Sequence, residues 1–471
     1  MRQNRSGRGE CPIGANIAGK PLKISGEARS VGHFAAMLHA SQPVDFAFEA
    51  FLKELPPEYA TMAREFKAFA RPRKLKTPAH LLQVVMLYCG LDQALRTTAG
   101  SFTLLEERIT ETAIHQRLRA CGPWLKALLH AMLPATQTPL NGWRLLIVDG
   151  SSLQGPGAQG TDYRVHLALD LTHMTVHAVD VTGADGGETL ARYPWQAGDI
   201  VLVDRGYNQP QVILDLFARG VEVIVRLNPT AMPLFARSGE ADVCDPAAVR
   251  LDVSVSLRAC TDDTIRLPVW LRAPEASGPG WLYAARLPPD VAEAARRRCR
   301  KTAQRKGRTP SDATLFLAGW VMVFTTVTPE TLDGPTVLAL YRCRWQVELA
   351  FKRLKSLLDL DTLRTQQNSR LGEVWIRGKW LYALVIERRA QRHATGGIDP
   401  LDRPRRLTPW RLLAIVRQEV DGWILDAQHW CAEQWDACLD VLKERPRRRR
   451  LQTLPARVIQ MMNEQERQRC G

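Results

Sequence analysis

Two stretches of this chain, WRLLIVDGSSL (143–153) and GDIVLVDRGY (198–207), run through four apolar residues straight into an aspartate, Asp149 and Asp204. Apolar runs without alternation read as strands covered on both faces, so the chain must bring helices to both sides of its sheet. The neighbouring segments supply the rest. YRVHLALDL and TVHAVDVTG read as two more strands, and GGETLARYPW as a short helix. QPQVILDLFARG reads as a helix closed by Gly220, and VEVIVRLNP as a further strand. Three strands, a helix, a strand, a helix and a strand predict an α/β fold with a mixed sheet.

The flanks have other periods. Residues 1–30 are Gly- and Arg-rich and predict a basic flexible arm; 31–140 predict a helical N-terminal domain, a candidate for DNA binding. Within the latter, Thr110 or Thr112 is a plausible N-cap. Arg117 and Arg119 near a helix start suit a helix-turn-helix reader or a plain bundle equally. The core's first part is 141–229. Residues 230–316 predict a β-rich insertion, because RLDVSVSLRAC, TIRLPVWLRAP and GWLYAARLP alternate as strands do. A basic stretch, ARRRCRKTAQRKGR, closes it. The core resumes over 317–370 with a strand opened by Trp320 and a long helix from about 334 to 358. The rest, 371–471, is helical and carries KERPRRRR at 443–450.

Charge narrows the function classes. Sixty-four Lys and Arg against 49 Asp and Glu leave +15, which favours a polyanionic partner. Arg dominance over Lys by itself fits a GC-rich genome, but it does not produce the net excess. The ten cysteines form no C-x-x-C pair and read as reduced thiols. His173 and His177 are four apart, but on a turn and a strand, where that spacing builds no helical ligand pair. With no run of eighteen apolar residues and no apolar leader, a soluble, intracellular protein is expected.

Each strand-end aspartate alone is more simply a cap or turn residue, and Asp170 and Asp180 have similar settings. The partner that separates Asp149 and Asp204 lies in YRCRWQVELAFKRLK. On a helical wheel Tyr341, Arg344, Glu348 and Lys355 fall at roughly 0°, −60°, −20° and −40°. This narrow stripe flanks the apolar face centred near roughly 250°. A solvated face does not need a tyrosine and three charges in line. Three carboxylates brought together repel one another unless they hold a cation. Hard oxygen ligands suit Mg²⁺ or Mn²⁺, and two such ions suit phosphoryl transfer.

Tyr341-x2-Arg344-x3-Glu348-x6-Lys355 resembles, without a gap, the Tyr-Arg-Glu-Lys signature of DDE transposases of the insertion-sequence-four type. IVDGSS around Asp149 and VDRGY around Asp204 are similar to that family's first and second aspartate motifs. The spacings are 55 residues from Asp149 to Asp204 and 144 from Asp204 to Glu348, the second lengthened by the family's insertion. The resemblance covers about 40–460 and implies a ribonuclease-H-like core. It implies Asp149, Asp204 and Glu348 as catalytic metal ligands for two Mg²⁺, with Mn²⁺ as a substitute. It makes Arg344 and Lys355 phosphate-holding residues and Tyr341 and Arg226 contacts to the DNA end. Trp320 resembles an aromatic that some members stack on a flipped base. The implied partners are double-stranded DNA, at terminal inverted repeats and at the target, and a second copy on DNA. No membrane is implied, and the location would be cytoplasmic, at the nucleoid. Two rivals stand beside this reading: a catalytically silent transposase-derived DNA-binding protein, and another ribonuclease-H-like nuclease.

Overall fold

The computed structural model describes residues 48–133, 142–237, 249–365, 369–395 and 409–442. The expected arm at 1–30 and the cluster at 443–450 lie outside the described residues. Six helices come first: α1 (Phe48–Leu52), α2 (Tyr59–Glu65), α3 (Pro78–Cys89), α4 (Leu95–Leu105), α5 (Glu111–Leu118) and α6 (Gly122–Met132). Thr77 caps α3 by accepting from the His80 amide, and Pro78 fits its first turn. Of the two candidate threonines, Thr110 caps α5, accepting from the Ala113 amide. Arg117 is tied to the Arg71 carbonyl at 2.9 Å, whereas Arg119 is exposed.

The strands β1 (Arg144–Leu153), β2 (Tyr163–Asp170), β3 (Thr175–Gly183) and β4 (Asp199–Val203) lead to α7 (Pro210–Ala218) and β5 (Glu222–Arg226). Then come β6 (Leu234–Ala236), α8 (Val253–Arg258), β7 (Thr264–Arg272), β8 (Ser277–Arg286), α9 (Pro289–Arg305) and α10 (Asp312–Leu317). The chain continues through β9 (Trp320–Thr325), α11 (Gly334–Cys343), α12 (Trp345–Leu358), α13 (Arg370–Thr395), α14 (Pro409–Leu425) and α15 (Trp435–Leu442). Among the described residues the strands form one sheet, ordered β3-β2-β1-β4-β5-β9-β8-β7-β6. β1, β4 and β5 are parallel, flanked by the antiparallel β2–β3 hairpin and by antiparallel β9. This is a mixed α/β fold with a ribonuclease-H-like core.

Successive residues of the central strands serve opposite faces, as a two-residue period requires. Ile147, Ile200 and Leu202 enter the core shared with the N- and C-terminal helices. Leu146, Val148, Val201 and Val203 enter a second core under α7, α8 and the added strands. The helices from the two ends of the sequence interleave, with α13 against α3 and α6, α14 against α1, and α15 against α4. Lys379, fully buried on α13, donates to the Gly90 carbonyl at 2.9 Å and pairs with Asp92, so its charge is met inside this contact.

Four sequence expectations change. DVSVSLR is a helix, not a strand. Asp252 caps it through the Ser254 and Val255 amides at 2.9 and 3.1 Å, and Val253 and Leu257, four apart, are the buried pair. Helical spacing therefore prevailed over the apparent alternation. The basic stretch is also helical, so 230–316 mixes strands with helices, and its strands extend the main sheet. GGETLARYPW holds only a 3-10 turn at Leu190–Arg192, with Pro194 close behind. The long helix at 334–358 is two helices meeting at Arg344.

Candidate active site

The strands that carry Asp149 and Asp204 are locked at their other ends. Arg144 opens β1 and Asp199 opens β4, and the two face each other in the parallel register. Their side chains form a buried two-pronged pair at 2.6 and 2.8 Å, and Asp199 also accepts from the Gln196 amide at 2.8 Å. Five residues on from each partner stand Asp149 and Asp204. Extending the register Ile147↔Leu202 by two residues would put both aspartates on the same face of the sheet, the face covered by α12. β4 stops at Val203, while β1 continues to Leu153 along β2. Asp149 is therefore not at a strand end. It stands where β1 loses one neighbour, at a notch in the sheet.

α12 packs its Val347, Phe351 and Leu354 into the core over β1 and β2. That contact brings Arg344 to the notch. Its guanidinium lies 3.8 Å from Asp149 and pairs with Glu348 one turn on. Burial pushes the Asp149 carboxyl up to about 6, helped by the charges of Glu188 and Glu348 and opposed by the Gly150 N–H and Arg344. Tyr341 is buried, and its hydroxyl is raised by burial first and then by the charge of Asp204. Burial and the neighbouring Arg205 lower the Arg226 guanidinium at the end of β5, where Tyr341, Asp204 and Arg344 also act on it. Lys355 lies half-buried two turns beyond Glu348. The structure thus gathers Asp149, Asp204, Arg226, Tyr341, Arg344 and Glu348 at one sheet edge.

Trp320 is different. It is 3% exposed, its ring covered by the Arg286 guanidinium at 4.8 Å and flanked by Phe316. Base stacking there would require Arg286 to leave. His173 bonds to Asp170 after β2, and His177 is buried in β3.

One acidic residue at the notch escaped the sequence reading. Glu188 reaches it from the other face of the sheet: a Cβ on Gly150 would lie 3.2 Å from its Oε1, and one on Gly206 would collide with its Oε2. Arg164 is its counter-charge at 4.0 Å. Its sequence neighbours offer only Gly186 and Gly187, a loop signal, and no period marks it.

Among the described residues no three His, Cys, Asp or Glu already stand close enough to hold a metal ion. Arg344 lies between two of the candidate ligands instead. The donor chemistry nevertheless fits a divalent cation. The oxygens are hard, burial pushes the Asp149 carboxyl upward, and one positive group already serves Asp149 and Glu348 together.

The family model described as Transposase DDE domain matches residues 142–384. The chain is 30% identical over 343 residues to the putative transposase InsL for insertion sequence element IS186A of Escherichia coli (strain K12). It is 30% identical over 344 residues to the transposase for insertion sequence element IS421 of Escherichia coli. Each match covers 70% of this chain and 90% of the relative. The chain belongs to the DDE transposase family, whose members act on DNA and generally use divalent metal ions. Among the described residues no helix is long and apolar enough to cross a membrane.

Proposed function

We propose that this chain is an insertion-sequence transposase of the insertion-sequence-four type, which cuts DNA at its element's ends and joins them to target DNA. The observation that carries the reading is the double engagement of Arg344, which draws Asp149 of β1 and Glu348 of α12 to one point beside the end of β4. Asp149, Asp204 and Glu348 would hold two Mg²⁺, for which Mn²⁺ would substitute. When bound, such ions activate the attacking oxygen and stabilise the leaving one. Water would attack a phosphodiester at each end and release a 3′-OH, which then attacks the opposite strand or target DNA.

The chain's own residues would orient these steps. Arg344, freed from the carboxylates, would hold a phosphate next to the cut, with Lys355 behind it on the same helix. Tyr341 and Arg226 would line the DNA end. Trp320 would join them only if Arg286 swung away. Glu188 would support the Gly150 and Gly206 backbone behind the two aspartates. Two ends must be held at once, so a homodimer on DNA is part of the proposal, with residues 31–140 contributing DNA contacts.

The test is cleavage of duplexes taken from the flanks of its own gene, with products resolved on a denaturing gel. Mg²⁺-dependent nicks or hairpins at the element boundary are expected, and EDTA should remove them. Binding without any cleavage under Mg²⁺ or Mn²⁺ would favour the silent DNA-binding alternative. Cleavage at no defined end would favour a different nuclease of this fold. In the same assay Arg344→Ala is expected to slow end cleavage by about 100-fold, the order found when a preorganised charge contact is lost. An unchanged rate at several salt concentrations would count against the role given to Arg344.

A further inference from the structure

The basic helix α9 has one face that makes no ion pair or hydrogen bond among the described residues. Its single buried residue, Ala292, marks the inner side, where Arg296 donates to the Leu315 carbonyl of α10 at 3.3 Å. Glu293 is paired with Arg300 at 3.2 Å and with Arg296 at 3.7 Å. No other acidic residue follows before Asp312. Arg297, Lys301 and Arg305, each four residues apart, lie with Arg298 on the outer side. On a wheel they span roughly 100° and centre nearly opposite Ala292. All four are exposed, as are Lys306 and Arg308 just beyond the helix.

The topology fixes where this helix is rooted. β9 runs antiparallel to β5, so its first residue, Trp320, lies beyond Arg226, on the edge that carries Asp149 and Asp204. Arg286, the last residue of β8, pairs with Trp320 at that same edge, and the Leu287 amide bonds to the Gly319 carbonyl at 2.9 Å. Both ends of the α9–α10 excursion are therefore rooted at the catalytic edge. β8 is three strands from β4, which places that root about 14 Å from Asp204 across the sheet.

We propose that the outer face of α9 binds the phosphate backbone of duplex DNA on one side of the cut, at least about four base pairs from the scissile phosphate. The chemistry matches. The stripe from Arg297 to Arg305 is about 12 Å long, and duplex DNA presents one negative charge per about 1.7 Å of its axis. A polyanion of that density meets the stripe along its whole length. Among the described residues no acid is paired with these four cations, because Glu293 is taken up by Arg296 and Arg300. This inference rests on the proposed action at DNA ends but is tested separately from it.

The experiment compares the full-length protein with a triple variant, Arg297→Ala, Lys301→Ala and Arg305→Ala, binding fluorescent duplexes from its gene's flanks in EDTA over a series of KCl concentrations. Losing three phosphate contacts should make the slope of log K against log [salt] shallower by about 2.7. The double variant Arg297→Lys and Arg305→Lys should keep the wild-type slope, which separates a phosphate contact from a shape effect. Shortening one arm of the duplex below about four base pairs should erase the difference between wild type and triple variant. Equal slopes on long duplexes, with the melting temperature unchanged, would overturn the proposal. A slope difference that survives shortening of either arm would also overturn it, since the contact would not lie where the topology puts it. If wild-type protein binds through this face yet never cleaves, the proposed activity fails while the inference stands.

Discussion

Replacing Asp149, Asp204 or Glu348 by alanine is expected to abolish metal-dependent end cleavage while leaving DNA binding intact. Each loss should be at least about 1,000-fold, the rate equivalent of the several kcal/mol that bound metal contributes to phosphoryl transfer. The three side chains come from β1, the end of β4 and α12, so no single local distortion explains a common loss. Binding should hold or tighten, because each change removes a negative charge from a surface that meets phosphates. Gel-shift affinity and cleavage yield, measured on the same duplex, separate the two effects. Full cleavage by any one of the variants removes that residue from the site. Equal loss of binding and cleavage would instead point to misfolding.

The second large effect concerns stability. Asp199→Ala should destabilise the protein by about 3–5 kcal/mol, because it leaves the Arg144 guanidinium buried without its counter-charge. Arg144 is 7% exposed at its side chain and Asp199 is fully buried, so water cannot compensate the loss. Urea denaturation of the two proteins gives the comparison. The double variant Arg144→Met and Asp199→Leu should recover most of the loss, since apolar replacement of both partners removes the desolvation cost together with the attraction. A cost below about 1 kcal/mol for Asp199→Ala would mean that the pair is not the register clamp described above. The position of the clamp gives it a functional reach. Slippage of β4 against β1 by one residue would turn Asp204 to the opposite face of the sheet from Asp149.

How much of this was legible beforehand depends on the range of the interaction concerned. The continuous apolar runs before Asp149 and Asp204 are local, and they announced doubly covered strands correctly. Arg344 keeps a right-handed helical conformation where the two helices meet and pairs with Glu348 one turn on. The segment at 250–260 misled for a physical reason. Its V-S-V-S alternation is a strand period, but Asp252 offers a helix cap and the spacing of Val253 and Leu257 suits a helix face. Burial chose between two patterns that the residues satisfied at once. Glu188 was invisible because its significance lies in facing Gly150 and Gly206, 38 and 18 residues away.

The feature met first was a pair of aspartates, each at the end of an apolar run. By itself the sequence determined that these runs are buried strands and that Tyr341, Arg344, Glu348 and Lys355 recur at helical spacing. Both are consequences of hydrophobic periodicity, which acts within a few residues. Only the tertiary structure decided that Arg144 and Asp199 align the two strands, and that β1 outruns β4 to open a notch. It also decided that Trp320 is covered by Arg286 and that the basic helix α9 is rooted on the sheet edge beyond Arg226. Each of these depends on which strand lies beside which. That order is set by packing among residues far apart in the chain, where no local period reports it.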